Sequence, residues 1–310
     1  MSLRFDLIGA ARRAPRLLGE ATDTVAAFFA AAQRPDGGFA DRAGRSDLYY
    51  AAFGAEALEA LGRPWNKAAA AAFARDAFEP DRTDLPHLWA WIRLLKAAGE
   101  ELLPAEQRSA REILERFRAR DGGYDIVPGG AAASAYGLFL ACGALQDLGL
   151  PLGSREQWAA CLDALKTRDG GYRQRAGESP EQGGANPAAA ALTVRRELGL
   201  PPDEEGLAWL LAQERPRGGF RAAPQVPMPD LLSTAAAIHA LGVSRADLTP
   251  LRERTLDFLD SLWDNLGGFH GHWADPVVDC EYTYYGLVVL GWLAGPDSPS
   301  PGAGKTREGT

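Results

Sequence analysis

Residues 33–39 read Gln-Arg-Pro-Asp-Gly-Gly-Phe, and the glycine pair followed by an aromatic residue decides the fold. The pattern recurs four times, with first glycines at Gly122, Gly170, Gly218 and Gly267. Counted from the first glycine of residues 33–39, successive first glycines are 85, 48, 48 and 49 residues apart. The interval of 85 residues spans nearly two periods, so one unit has lost its glycines. A constant period of this length indicates a repeat architecture, here of six units.

Each unit has one plan, in which two apolar helices flank the glycine turn and a polar stretch. A glycine after a helix supplies the positive φ that ends it. Asp47, Asn186 and Asp279 stand before second helices, where they would act as N-caps. The alternating patterns that predict strands are nearly absent. The sequence therefore predicts an all-α protein.

The six units predict a ring rather than an open array. An open stack of hairpins needs a polar face at each end. The last unit, residues 267–295, is as aromatic and apolar as the middle ones. We therefore predict an α6/α6 toroid, a closed barrel of six helical hairpins around a central cavity.

The composition excludes several classes of protein. With 46% hydrophobic residues among 310, the chain is too apolar for disorder. Its net charge of -8, without a block of Lys or Arg, argues against nucleic acid or an anionic membrane as a partner. The longest apolar run, residues 25–32, is far shorter than the roughly 20 residues of a transmembrane helix. Three cysteines without paired spacing are typical of a reducing compartment, so we expect a cytoplasmic protein.

The chain divides into three predicted segments. Residues 1–22 carry scattered arginines and no long apolar run, which predicts an N-terminal leader helix. Residues 23–295 contain the repeats and form a single toroid domain. Residues 296–310 are rich in Pro, Gly and Ser, which predicts a disordered tail.

The unit at residues 33–39 and the D-x-x-Y segments that begin at Asp47 and Asp279 resemble the repeat of prenyltransferases and squalene cyclases. The similarity runs from about Gln33 to Gly295. Within this family, the sequence most resembles the β subunits of protein prenyltransferases of the Rab geranylgeranyl type. The resemblance implies that the second helices line a funnel for an isoprenoid or prenyl diphosphate. It also implies transfer of the prenyl group, with an α-subunit-like protein as partner.

The same resemblance implies a zinc ion that activates the acceptor. The family's Asp, Cys and His ligand positions match Asp279, Glu281 and Tyr50, so two of the three ligands are replaced. His270 or His272, the H-x-H pair after the last glycine turn, is a candidate replacement ligand, and His272 is the one we choose. The implied metal site is therefore Asp279, Glu281 and His272.

The resemblance also implies contacts with the substrate. Asp279, Tyr50 and Tyr282 are the catalytic candidates, and the two tyrosines would orient the substrate. Arg42 and Arg45 would contact diphosphate, because the family's basic residues before the zinc aspartate are missing here. The other predicted substrate-binding residues lie near the starts of second helices: Asp47, Tyr49, Trp89, Tyr136 and Tyr285.

Two other functions stay open. Asp279 followed by Cys280 is similar to the acid of class II terpene cyclases, which protonates an olefin. Such an acid must be buried and have no cationic neighbour. The other function is a non-catalytic toroid that binds a lipid or protein after loss of the zinc site. His239 lies on an apolar helix and is interpreted as a core histidine.

Overall fold

The computed structural model describes residues 2–295, which are mostly helical, as predicted. The described chain begins with two short helices, α1 Leu3–Ala11 and α2 Pro15–Leu18. Outer and inner helices then alternate along the chain. The outer helices are α3 Ala21–Ala32, α5 Lys67–Asp76, α7 Pro104–Arg116, α9 Arg155–Ala164, α11 Glu204–Leu211 and α13 Arg252–Asp260. The inner helices are α4 Leu48–Ala60, α6 Leu85–Ala98, α8 Ala135–Asp147, α10 Ala185–Glu197, α12 Leu231–Val243 and α14 Cys280–Leu293.

Two short antiparallel ladders connect outer to inner helices. Strand β1, Phe39–Ala40, pairs with β2, Ser46–Asp47, and β3, Phe220–Arg221, pairs with β4, Pro229–Asp230. Each ladder begins directly after a glycine pair and ends at an aspartate that caps the following inner helix. The ladders therefore determine where α4 and α12 begin.

The inner helices lie side by side in a ring. Each contacts the next in chain order, from α4 through α6, α8, α10 and α12 to α14. Helix α14 also contacts α4, so the last hairpin lies beside the first. The ring places the amino-terminal ends of all six inner helices at one rim.

The glycine pair sets the spacing between neighbouring hairpins. Gly37 has a φ of 95°, a conformation that favours glycine. A Cβ atom at this position would overlap the backbone of Ala69 in α5, the outer helix of the next unit. A Cβ atom at Gly267, in the last unit, would overlap the backbone of Thr24 in α3, the outer helix of the first unit. The turn of the last unit therefore packs on the first unit, as a ring requires.

Helix α1 lies across the end of the ring where the inner helices finish, and it contacts α14, α4 and α8. The backbone N–H of Leu3 donates to the side chain of Gln146 at 3.0 Å, and Arg4 pairs with Glu56 at 3.1 Å. The residues predicted as one leader helix form α1 and α2 instead. Pro15 begins α2, because proline lacks the N–H group that a continuous helix needs at this point.

No helix within residues 2–295 combines the length and apolar character that crossing a bilayer requires. The predicted disordered tail, residues 296–310, lies outside the described residues. The cytoplasmic location stays a prediction.

The contact between α1 and α14 yields a test of how α1 is held. A Cβ atom on Gly291 would overlap the carbonyl group of Ala10. We expect Gly291→Ala to push α1 away from the ring and to lower the free energy of unfolding by about 1–3 kcal/mol. Urea unfolding followed by circular dichroism measures this change.

Gly9→Ala is the matched control, because a Cβ atom on Gly9 meets no atom within 4 Å. Alanine also forms helices better than glycine by about 1 kcal/mol. Gly9→Ala should therefore leave stability unchanged or raise it. Equal stability of the two variants would contradict the close packing of α1 on α14.

Candidate functional site

A cavity of about 410 Å³ lies inside the ring of inner helices. This volume is within the range of small-molecule sites, about 300–1,000 Å³. Its wall is mostly apolar: aromatic side chains come from α4, α6, α8 and α14, and small side chains come from α10 and α12. The aromatic residues are Tyr49, Phe53, Trp89, Tyr136, Phe139, Tyr284 and Tyr285, and the alanines are Ala189, Ala190, Ala235 and Ala236. Because the alanine side chains are small, they leave an open volume opposite the aromatic side chains.

Glu281 is the acidic residue of this wall. The hydroxyl groups of Tyr49 and Tyr285 both donate to its Oε1, each at 2.9 Å. Tyr285 follows Glu281 by four residues and so lies on the same face of α14. Tyr49 comes from α4, which lies beside α14 in the ring. Two helices far apart in the sequence therefore build the site of this carboxyl group.

The environment of Glu281 raises the proton affinity of its carboxylate above that of an exposed glutamate. Burial raises the pKa of Glu281, while the hydrogen bonds from Tyr49 and Tyr285 act in the opposite direction. The net result is a pKa above the ordinary value for glutamate. Burial therefore lets Glu281 hold its proton to a higher pH than an exposed glutamate would, and the tyrosines stabilise the carboxylate that forms when the proton leaves.

Asp279 lies outside the cavity wall and is held by a cation. Its Oδ1 caps α14 by accepting from the backbone N–H of Tyr282 at 2.8 Å. Nε of Arg42 donates to its Oδ2 at 2.6 Å. Burial raises the pKa of Asp279 above its ordinary value, although the backbone N–H of Tyr282 and the guanidinium of Arg42 oppose this rise. The cyclase interpretation required a general acid without a cationic neighbour. Asp279 has such a neighbour in Arg42, so it does not meet this requirement.

Arg42 joins the last unit to the first. Its guanidinium also donates to Asp275 at 2.7 Å and lies 5.2 Å from the ring centre of Tyr282. We call Arg42, Asp275, Asp279 and Tyr282 the Arg42 cluster. Two carboxylates thus neutralise the arginine that was predicted to contact diphosphate. Arg45, the second predicted contact, is exposed and pairs with Asp41 at 3.0 Å.

The predicted zinc ligands do not come together. Asp279 is bound to Arg42, Glu281 faces the cavity beside two tyrosines, and Nδ1 of His272 accepts from the backbone N–H of Ala274 at 3.1 Å. Across residues 2–295, no group of three or more His, Cys, Asp or Glu side chains could hold a metal ion. The set Asp279, Glu281 and His272 therefore does not fit zinc. The carboxylate of Asp279, its first predicted ligand, is already hydrogen-bonded to the guanidinium of Arg42.

The other predicted residues divide between the cavity and the rim. Tyr49, Trp89, Tyr136 and Tyr285 line the cavity. Tyr50 and Tyr282 lie at the rim near Asp279, where burial raises the pKa of each tyrosine to about 12.

Asp47 is also at the rim. Its Oδ1 caps α4 by accepting from the backbone N–H groups of Tyr49 and Tyr50, at 2.8 and 3.1 Å. Its Oδ2 lies 3.9 Å from His87, whose Nδ1 is 2.7 Å from Asp84. Asp47 therefore binds a helix end and a histidine, and it does not line the cavity.

Sequence reasoning missed part of the wall. Phe53 follows Tyr49 by four residues, and Phe139 follows Tyr136 by three, which places each pair on one helix face. Extending this spacing down each second helix would have found them. His239, interpreted as a core histidine, also lines the cavity.

Comparisons with known proteins agree with this architecture. Residues 20–85 and 188–299 match the sequence profile described as the prenyltransferase alpha-alpha toroid domain. The comparison with curated proteins finds no match. The profile therefore covers the first unit and the last two, including both sides of the Arg42 cluster.

Solved structures of several enzymes share the fold. The protein geranylgeranyltransferase-I of Candida albicans, complexed with GGPP, is 12% identical with a TM-score of 0.64, over 87% of this chain and 90% of that chain. The type II terpene cyclase MstE of Scytonema is 15% identical with a TM-score of 0.59, over 90% and 97%. A glycosidase is 15% identical with a TM-score of 0.56, over 92% and 98%. At such identities the likeness shows the toroid fold alone.

The rim histidine provides a test through pH. The carboxylates of Asp47 and Asp84 raise the pKa of His87 from 6.5 to about 10. Its charge therefore favours the folded state fully below about pH 6.5, and this contribution is lost as the pH rises toward 10. We expect His87→Gln to lower the free energy of unfolding at low pH by less than about 1 kcal/mol, because the ring is partly exposed to solvent.

Urea unfolding of both proteins across this pH range measures the difference, which should shrink as the pH rises. His272→Gln is the control, since it changes a histidine outside this group. A difference that grows with pH would contradict the charged pairing of His87 with the two aspartates.

Proposed function

This chain belongs to the prenyltransferase α/α toroid family, and we propose that it is an enzyme that binds a neutral isoprenoid in its central cavity and protonates it with Glu281. The observation that carries the proposal is a buried carboxyl group in a wall of aromatic side chains. It assigns to Glu281 the acid role that the sequence suggested for Asp279. Glu281 faces the cavity, whereas Asp279 faces Arg42.

The proposed step begins with protonated Glu281. Both tyrosine hydrogen bonds fall on Oε1, which leaves Oε2 to carry the proton. The π electrons of a bound alkene take this proton, and the carboxylate that remains is stabilised by Tyr49 and Tyr285. The π electrons of a second alkene then bond to the carbocation and close a ring. The final cation loses a proton to water, and water restores the proton of Glu281, so the product is an isomer of the substrate.

The aromatic wall supports this chemistry in two ways. Burial of an isoprenoid against it removes apolar surface from water, which is worth about 25 cal/mol per Å². The faces of tyrosine, tryptophan and phenylalanine rings also attract cations. Phe53, Trp89 and Tyr284 line the cavity deeper than Glu281, where a carbocation formed from a bound chain would lie.

Charge argues against a diphosphate substrate in this cavity. Within residues 2–295, no lysine or arginine lines it. Arg42 is neutralised by Asp275 and Asp279, so the rim offers diphosphate two carboxylates beside one guanidinium. Prenyl transfer, with zinc and an α-subunit-like partner, stays a prediction from the resemblance, and the arrangement of these residues does not favour it.

Replacement of Glu281 tests the proposal. The protein is incubated in D₂O with geraniol, farnesol and geranylgeraniol, and products are analysed by mass spectrometry. We expect a cyclic isomer of at least one alcohol that has gained deuterium, because the acid exchanges its proton with solvent before transfer. Glu281→Gln should lower the rate by roughly 10²–10⁴-fold, the typical contribution of a general acid.

Glu204→Gln is the control, since Glu204 is an exposed glutamate in the first turn of α11. It should keep the full rate. Geranylgeranyl diphosphate is the comparison substrate, and it should bind more weakly than geranylgeraniol. Absence of any deuterated isomer, or an isomer formed equally well by Glu281→Gln, would contradict proton transfer from Glu281.

A further inference from the structure

The ninth residue of each inner helix forms one layer at the deep end of the cavity. The inner helices start at the same rim, and a helix rises 1.5 Å per residue, so equal counts from the start reach equal depth. Four of the six residues in this layer are polar, although they lie inside the ring. The layer consists of Glu56, Arg93, Gly143, Thr193, His239 and Val288.

Two of the four polar residues in this layer form an internal ion pair. Arg93 of α6 donates to Glu56 of α4 at 2.7 Å through Nε, and both side chains are 1% exposed. The hydroxyl of Tyr284 also donates to Glu56, at 3.0 Å. Glu56 therefore pairs with Arg93 as well as with Arg4, and neither Glu56 nor Arg93 lines the cavity.

His239 is a third polar residue of the layer; it lines the cavity, and one of its ring nitrogens has no hydrogen-bond partner. Its Nδ1 lies 3.3 Å from Nε1 of Trp292. An indole nitrogen only donates, so Nδ1 must accept, and the proton of the neutral ring is on Nε2. Burial lowers the pKa of His239 to about 3, which keeps the ring neutral. The side chain is only 4% exposed, and its Nε2 is buried without a hydrogen-bond partner.

Thr193 supplies an acceptor at the same depth. It lines the cavity on α10, the helix that contacts α12 beside His239. Its hydroxyl donates to the carbonyl of Ala189 at 2.8 Å, so its proton is used and its lone pairs remain. An N–H donor and a hydroxyl acceptor on neighbouring helices match a single group that both accepts and donates, as a hydroxyl does.

We propose that the substrate is an isoprenoid alcohol that enters the cavity hydroxyl first. Its oxygen accepts from Nε2 of His239 and donates to Oγ1 of Thr193. Glu281 is the second residue of α14 and His239 the ninth of α12, so the acid lies about 10 Å above this anchor. The alkene that receives the proton is therefore at the far end of the chain from the hydroxyl. This inference rests on the proposed function, because it names the substrate of the same cavity.

The layer also excludes charged head groups. A carboxylate or diphosphate at this depth would need a cation that lines the cavity, and no lysine or arginine within residues 2–295 does. A hydrocarbon would leave the N–H group of His239 buried without a partner, which costs about 1–3 kcal/mol. The anchor therefore selects a neutral oxygen over both alternatives.

Paired probes and paired variants test the anchor. Farnesol and farnesene share a carbon skeleton and differ by the hydroxyl, and quenching of tryptophan fluorescence measures the binding of each, since Trp89 lines the cavity. We expect wild type to bind farnesol roughly tenfold more tightly. His239→Asn keeps an acceptor near Trp292 and removes the deep donor, so it should lose most of the preference for farnesol. His239→Gln restores a donor at the Nε2 position and should recover the preference for farnesol.

A measurement on the wild-type protein does not depend on whether these variants fold. Nitrogen NMR of ¹⁵N-histidine-labelled protein should show His239 as the tautomer protonated on Nε2. Its Nε2 resonance should shift on addition of farnesol and stay in place on addition of farnesene. Protonation on Nδ1, or equal shifts with both probes, would overturn the anchor.

The outcomes separate the two proposals. Equal affinity of wild type for farnesol and farnesene overturns the hydroxyl anchor and leaves an isoprenoid cavity with its acid. Failure of both probes to bind overturns the proposed function and the anchor together. A farnesol preference that is undiminished in His239→Asn overturns the assignment to His239.

Discussion

The toroid depends on direct contact between a glycine turn and the backbone of the next outer helix. Without a side chain, Gly37 lies against Ala69 and Gly267 against Thr24. Together with the contact of Gly218 on the backbone of Arg254, these contacts fix the angle between three pairs of neighbouring hairpins, including the last and the first. Because interiors pack as densely as organic crystals, a Cβ atom at such a contact would displace the whole neighbouring hairpin. The ring, and therefore the cavity, follows from this spacing.

A ring of equal hairpins orders the interior by depth. All inner helices begin at one rim, so residues with the same position in the repeat face each other at the same level. The first turn provides Tyr49 and Glu281, the middle turns provide aromatic rings and alanines, and the ninth residues provide the polar layer with Thr193 and His239. One repeat pattern thus produces an acid at the top, an apolar wall below it and a hydrogen-bonding floor.

The Arg42 cluster shows how one ion pair changes the chemistry of a rim. Asp279 combines a cap for α14 with a contact to Arg42, and Asp275 contacts the same guanidinium. Two carboxylates around one guanidinium leave the cluster with a net negative charge, which does not favour diphosphate, and within residues 2–295 no acidic and histidine side chains group into a metal site. Glu281, two residues after Asp279, escapes this pairing because the helix turns it toward the tyrosines. The carboxyl group available for chemistry is therefore the buried one.

The sequence by itself determined the repeat, the all-α class and several wall residues, because glycine turns, caps such as Asp47 and aromatic spacing are local properties. It did not determine that Arg42 holds Asp279, that Tyr49 and Tyr285 share Glu281, or that His239 reaches the cavity. Each of these depends on residues brought together from different hairpins: α4 meets α14 only when the ring returns to its start, about 230 residues later, as the 232-residue separation of Tyr49 and Glu281 shows. The spacing of residues along the chain does not predict contacts between distant hairpins. Only the tertiary structure therefore decided that Asp279 is an ion-pair partner and that Glu281 is a buried acid.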